Sequence, residues 1–304
     1  PRQLPATHPL YRLLRPHFQF LLAINTRGNQ VLLGEGAAID NLLAPTRAAS
    51  IALINRAYRD RSFVEYALPN DLKRRGIEAE YLPEFPYRDD ALLLWEAISR
   101  YVTQFLQPYY PDDAAVQHDR YLQAWAAELA EPLDTRPTHE FPQAPAWMPP
   151  EMLAAAGLSL EELPTYPRVP GFPTVLTTVQ SLIDIATQII FTCGPQHAAV
   201  NFSQFDYVGY APNAPLAAYC PPDRCTSPND LLPPLQKDLG QIELTFALSG
   251  IRWGNLGRTD LMNFKNPGDS HVLTQFQADL KAIEQKIRDR NRPYFDKYGV
   301  DYPY

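Results

Sequence analysis

Thr174 to Gln204 reads TVLTTVQSLIDIATQIIFTCGPQHAAVNFSQ. Its first part, Thr174 to Phe191, is apolar around most of a helical circumference, which marks a helix enclosed on several sides rather than one laid on a surface. Into that dry setting the stretch delivers polar side chains. His197 and Asn201 are four apart, so on a continuing helix they share a face, and Gln204, seven beyond His197, returns to it. Ala198, Ala199 and Val200 between them are small or apolar and let neighbouring groups come close. An imidazole nitrogen with an amide oxygen suits a borderline metal such as iron, and the absence of a thiolate argues against a structural zinc or iron–sulfur site. The same spacing also describes a hydrogen-bonded core pair, and two ligands do not complete a site. Gly194 and Pro195 stand just before the pair. An interruption of the helix is expected there, and interruptions of buried helices are often functional.

Outward from this stretch, helix signals dominate. Trp95, Ile98, Val102, Phe105 and Tyr109 recur at steps of three and four, which predicts one amphipathic helix over Tyr87 to Tyr109, with Asp89 and Asp90 as capping candidates and Pro108 as a stop. Leu273, Phe276, Leu280, Ile283 and Ile287 repeat the spacing after Asp269 and Ser270. Shorter helical readings fit Leu10 to Leu14, Gln19 to Leu33, Thr46 to Tyr58, Asp113 to Glu131, Glu151 to Ala156 and Leu231 to Leu248. Convincing period-two strands are nearly absent, so the fold class is mainly α. The prolines cluster at 132–150, 164–173 and 212–234 and read as rigid coil that ends and connects helices. Apolar residues such as Phe141, Trp147, Met148 and Leu153 run through the first of these, which favours a single unit over a domain boundary.

Composition narrows the function. The 304 residues carry a net charge of -7, with 27 basic against 34 acidic side chains, which argues against a nucleic-acid footprint and favours small or neutral partners. With 45% hydrophobic and 20% charged residues, the chain has the composition of a soluble globular protein, and it has no uninterrupted run of about 18 apolar residues. Three cysteines, Cys193, Cys220 and Cys225, cannot all pair, and the spacing of the last two is not that of a zinc knuckle, so reduced thiols and a cytoplasmic setting are the expectation. No Ser/His/Asp or paired-carboxylate signal appears.

GPQHAAVNFSQ at 194–204 closely resembles the signature of the lipoxygenases, non-heme iron dioxygenases of polyunsaturated fatty acids. RQLPATHPLYRLLRPHFQFLLAIN at 2–25, APNAP at 211–215, and IEQKIRDRN at 283–291 with Tyr302-Pro303-Tyr304 resemble further family segments in family order. The resemblance implies a large helical catalytic domain built around a long buried helix carrying metal ligands. It places the chain as the C-terminal portion of that domain, without the upstream histidine-pair helix and the terminal isoleucine that complete the family's iron site. It also implies one non-heme iron (Fe2+/Fe3+) per catalytic domain, with His197 as a firm ligand, Asn201 as a weaker or variable one, and Gln204 as a hydrogen-bonding neighbour of the asparagine and the cavity.

By the same resemblance the partners are dioxygen and a polyunsaturated fatty acid of linoleate, linolenate or arachidonate type, with peripheral membrane contact left to regions outside this chain. The resemblance implies that a ferric hydroxide takes a hydrogen atom from the bis-allylic carbon, becoming ferrous iron and water, and that dioxygen then traps the substrate radical on the way to a hydroperoxide. Gly28 stands where the family carries alanine, usually with S products, or glycine, usually with R products, and a missing methyl opens room for oxygen at another carbon. The alternative for Gly28 is a glycine kept for close packing. Leu32 matches a leucine that packs on the pentadiene, with Leu248 opposite it and Ile39 along the channel; leucines in buried helices are otherwise simply core.

Departures from the family are local. Arg27-Gly28-Asn29 replaces the usual Leu-Ala-Arg, and Ala214 stands where plant-type enzymes have an arginine for the fatty-acid carboxylate, which leaves the direction of substrate entry open. Arg12 and Arg27 are alternative carboxylate partners, and His8 and His17 read as structural. Two other readings keep the fold: a non-catalytic fatty-acid-binding relative and a hydroperoxide isomerase.

Overall fold

Phe105, Ile98, Val102, Ala97 and Tyr101 are essentially removed from solvent on one helix, α6 (Pro86–Leu106), around which the core is assembled. Each large apolar side chain enclosed this way contributes about 1.5–3 kcal/mol. A computed structural model describes residues 3–132, 167–201, 204–221, 223–249, 256–257, 262 and 264–299. Before α6 come α1 (Pro9–Leu14), a 3-10 turn at Arg15–Phe18, α2 (Leu21–Gly28), a π-turn at Asn29–Leu33, α3 (Ala38–Leu42), α4 (Arg47–Asp60) and α5 (Leu68–Arg75). After it come α7 (Asp113–His118), α8 (Arg120–Ala130), α9 (Val179–Phe191), a π-turn at Thr192–Gln196, α10 (His197–Asn201), α11 (Gln204–Val208), a 3-10 turn at Pro228–Leu231, α12 (Leu235–Leu248) and α13 (Pro267–Tyr298). Among the described residues the β content is one isolated bridge, Pro132 to Pro167. The helix expected at Glu151 to Ala156 lies outside the described residues.

α6 packs against both α9 and α13. α9 starts at Val179, five residues after the Thr174 of the apolar stretch, and exposes Gln180 and Asp184, but Ile185, Ala186, Thr187 and Gln188 are consecutive and all buried, so it is covered around one full turn. Thr178 starts it by accepting from Ser181 N at 3.1 Å, and the buried Gln188 donates to the Phe63 carbonyl at 2.6 Å.

The ends of the long helices differ from the sequence expectation. Asp89 and Asp90 do not cap α6, which begins at Pro86, a residue whose missing N–H costs nothing in a first turn. Asp90 is instead buried and held by both arms of Arg290 at 2.5 and 3.0 Å, tying α6 to α13. The fully enclosed Arg88 donates to the carbonyls of Ile77, Leu82 and Pro83 and so fastens the segment before α6. α13 is capped by Asn266, which accepts from Gly268 N at 2.9 Å. The helix expected over Asp113 to Glu131 is two helices. Asp119 takes an extended conformation and caps α8 by accepting from Tyr121 N and Leu122 N at 3.0 and 3.1 Å.

His8 is structural, as expected. His8 caps α1 with Nδ1 and donates from Nε2 to Asp119 at 3.0 Å, while Tyr110 donates to the same carboxylate oxygen at 2.7 Å. Burial pushes Asp119 up, but the Tyr110 hydroxyl, the Leu122 N–H and His8 outweigh it and hold the carboxyl below its usual range. His17 lies in the 3-10 turn that packs on the second π-turn, and burial lowers its pKa to about 4.

Candidate metal centre

The chain from α9 into α10 does not run as one regular helix. Pro195 lacks the N–H that the ladder needs, and the backbone takes up the defect as a five-residue π-turn over Thr192–Gln196. The expected interruption at Gly194 and Pro195 is therefore realised as an extra residue in the turn rather than as a break. It resets the helical phase of α10, so the face that carries His197 is one that the apolar pattern of α9 does not specify. His197 and Asn201 open and close α10 and are separated by one helical turn. On the side of α6, Gln196 hydrogen-bonds the Tyr87 hydroxyl. Burial raises the Tyr87 pKa, partly opposed by that bond, and burial also raises the Cys193 thiol.

Gln204 opens α11, and its amide donates to the Val200 carbonyl at 2.6 Å. That carbonyl belongs to the residue before Asn201, so Gln204 is tied to the last turn of α10. Among the described residues no cluster of three or more His, Cys, Asp or Glu side chains could hold a metal ion. By residue type His197 and Asn201 offer one imidazole and one amide. That set fits a borderline metal that receives its remaining ligands elsewhere.

The apolar candidates fall on neighbouring elements. Leu32 is in the first π-turn, which packs against α3, the helix of Ile39. α3 packs in turn on α12, which ends at Leu248. Gly240 permits that approach, since a Cβ there would stand 2.9 Å from Leu42 Cδ2. α12 packs on α11, the helix of Gln204, so the elements that carry Leu32, Ile39, Leu248 and Gln204 are neighbours in the fold. Leu32, Ile39 and Leu248 are all half-buried.

Gly28 ends α2 in ordinary right-handed helical geometry, at φ -57° and ψ -46°. A Cβ added there meets no atom within 4 Å, in contrast to Gly34 and Gly209, where one would lie 2.6 Å from a carbonyl oxygen. Close packing therefore does not account for Gly28, whereas it does account for the other two. Arg12, one of the two arginines considered for a fatty-acid carboxylate, donates to Asp269 at 2.6 Å and lies over the Tyr109 ring at 5.1 Å.

Two polar residues of the α12 segment escaped the sequence reading. Gln241 and Ser249 are buried on one face, eight apart, and both bond to α11 or the loop after it. Their signal is weak: two polar residues at helical spacing in a moderately apolar segment look like a solvated face. Cys220 and Cys225, expected as reduced thiols, are joined in a disulfide with Cα atoms 5.6 Å apart, a span that fits such a bond.

The sequence pattern of the lipoxygenase family matches residues 1–148 and 170–227. The rat hydroperoxide isomerase ALOXE3 is 31% identical over 299 residues, covering 95% of this chain and 37% of its own length. The mouse polyunsaturated fatty acid lipoxygenase ALOX12 is 31% identical over 313 residues, covering 100% of this chain and 41% of its own. A lipoxygenase crystallised anaerobically with arachidonate superposes with a TM-score of 0.80 at 27% identity, over 100% of this chain and 41% of that one. Coral 8R-lipoxygenase gives a TM-score of 0.78 at 27% identity, over 99% and 42%. The chain thus spans about two fifths of the length of these relatives. The helical fold, the family pattern over most of the sequence and the His197 to Gln204 signature agree, and the chain belongs to the lipoxygenase family.

Proposed function

We propose that these residues form the C-terminal portion of the catalytic domain of a non-heme iron dioxygenase that converts a polyunsaturated fatty acid to a hydroperoxide of R configuration. The observation that carries the reading is the seat of His197 and Asn201 on one turn, set off from the enclosed helix by a π-turn and fastened by Gln204. His197 would hold iron as the firm ligand and Asn201 as the weaker one, with the remaining positions filled from the additional length that the relatives possess. Iron in such a site supplies the one-electron chemistry that removes a hydrogen atom from a bis-allylic carbon. This chain's residues bind and orient. The wall of Leu32, Ile39 and Leu248 offers an apolar surface for the pentadiene, and such a wall excludes water and reductants from a radical. The open space beside Gly28 supports oxygen delivery to the carbon that an alanine methyl would shield. Gln204 steadies the turn that carries the ligands.

The test is incubation of the intact protein, iron-replete, with linoleate and dioxygen. Conjugated-diene absorbance with matching oxygen uptake is expected, and a preparation showing neither overturns the reading. His197→Ala is expected to lose iron by metal analysis; full retention removes His197 from the ligand set. A second reading, isomerisation of a preformed hydroperoxide, is favoured by the similarity to proteins named hydroperoxide isomerase. It is separated by adding the fatty-acid hydroperoxide without oxygen: its consumption, with no diene accumulating from the free acid, selects the isomerase.

A further inference from the structure

Helix α11 is five residues long and cannot hold itself in place, yet Gln204 at its first position is the group that ties the ligand turn. What holds it is α12. Ser249, buried at the end of α12, accepts the Phe205 N–H at 2.9 Å, one of the first-turn amides a helix leaves without an internal partner. Beside this bond the Phe205 and Phe246 rings meet edge to face at 5.6 Å. At the other end of α11, the carboxamide of Gln241 donates to the Val208 carbonyl at 2.6 Å and to the Ala214 carbonyl at 3.0 Å, and accepts from Leu216 N at 3.4 Å. Both amide protons and the carbonyl of Gln241 are used, on a side chain 2% exposed. Thr245, between the two anchors, turns its hydroxyl back onto the Gln241 and Ile242 carbonyls of its own helix. Ser249 and Gln241 therefore grip α11 at its two ends from one helix face, eight residues and about 12 Å apart.

We propose that Ser249 and Gln241 are positioning residues that seat α11 and, through the Gln204 to Val200 bond, fix the turn carrying His197 and Asn201. The proposal rests on the metal-site reading for its catalytic consequence but not for its structural one. It also gives the APNAP segment a role: the loop at 211–215 is shaped to present the Ala214 carbonyl to Gln241 and thereby closes the clamp. The same helix that ends at Leu248, the channel-wall residue, then sets both the wall and the ligand turn, so small shifts of α12 reach both.

The experiment uses the intact protein and three variants, Ser249→Ala, Ser249→Thr and Gln241→Met, read by amide hydrogen exchange of peptides spanning 204–216 and by oxygen uptake on linoleate. Losing one buried hydrogen bond should raise exchange of the α11 amides about tenfold in Ser249→Ala, with recovery in Ser249→Thr, which keeps the hydroxyl. Gln241→Met fills the same volume without the bonds and should raise exchange over 208–216. Oxygen uptake should fall in kcat about tenfold with KM for linoleate within twofold, again recovered by threonine. Unchanged exchange in Ser249→Ala and Gln241→Met, or a threonine variant no better than alanine, overturns the proposal. If Ser249→Ala does not fold, Gln241→Met alone decides it by the exchange over 208–216. A wild-type protein without oxygen uptake counts against the proposed function only, and the exchange measurements still judge the clamp.

Discussion

Arg12 and Asp269 meet at 2.6 Å although 257 residues separate them, and Tyr109 donates to the other oxygen of the same carboxylate at 3.0 Å. One buried carboxylate thereby joins α1, the chain just beyond α6, and the first turn of α13. The contact gives the arginine a buried carboxylate partner within the fold. Arg12→Met is expected to destabilise the fold by about 2 kcal/mol in urea unfolding, since it leaves Asp269 buried without its partner. The KM for a fatty acid should stay within twofold. A large rise in KM at unchanged stability would return Arg12 to the role of carboxylate partner.

His17 makes stability pH-dependent on the acid side. Its folded pKa of about 4 lies below the ordinary value of 6.5, so the neutral ring is favoured in the fold. The contribution is complete above the unfolded pKa and is lost as pH falls from about 6.5 through about 4, amounting to about 2–3 kcal/mol. Urea midpoints measured from pH 7 to pH 4 should fall more steeply for the wild type than for His17→Gln. Equal slopes would remove His17 as the cause. Asp119, held below its usual carboxylate range, adds loss only at more acidic pH, as it becomes protonated.

Gly28→Ala should be well tolerated. The site has helical angles and open space around the missing methyl, so alanine is expected to stabilise by about 0.5–1 kcal/mol. If the open space is where oxygen enters, chiral chromatography of the product should show a shift from R towards S in the same variant. A stabilised enzyme with unchanged chirality would refute the steric account while leaving the backbone argument intact.

Deleting Gly194 should turn the π-turn at Thr192–Gln196 into regular helix and rotate His197 by about 100° relative to α9. Helical content by circular dichroism should be preserved and iron content should fall at least about tenfold. Full iron retention would mean that the π-turn does not set the direction of the ligand turn.

The long helices were legible because burial imposes a period. Ile98, Val102 and Phe105 in α6, and Leu273, Phe276, Leu280 and Ile283 in α13, are buried as their spacing requires. The ends of those helices were not legible, since a helix terminus depends on which polar group is free to cap it. Asp90 looked like a cap and is an ion-pair partner of Arg290, two hundred positions away. The break at Asp119 likewise depends on His8 and Tyr110, which local pattern does not bring together.

At the candidate site the sequence by itself determined the residue types: a histidine and an asparagine one turn apart, a glutamine beyond them, a glycine where most residues would add a methyl. The tertiary structure alone decided their setting. It placed a π-turn before His197 because Pro195 cannot donate, packed the elements that carry Leu32, Ile39 and Leu248 on one another, and supplied the bonds of Gln241 and Ser249 to α11. Local chemistry is written in neighbouring residues. Direction and support come from backbone groups that find partners only after helices far apart in sequence have packed.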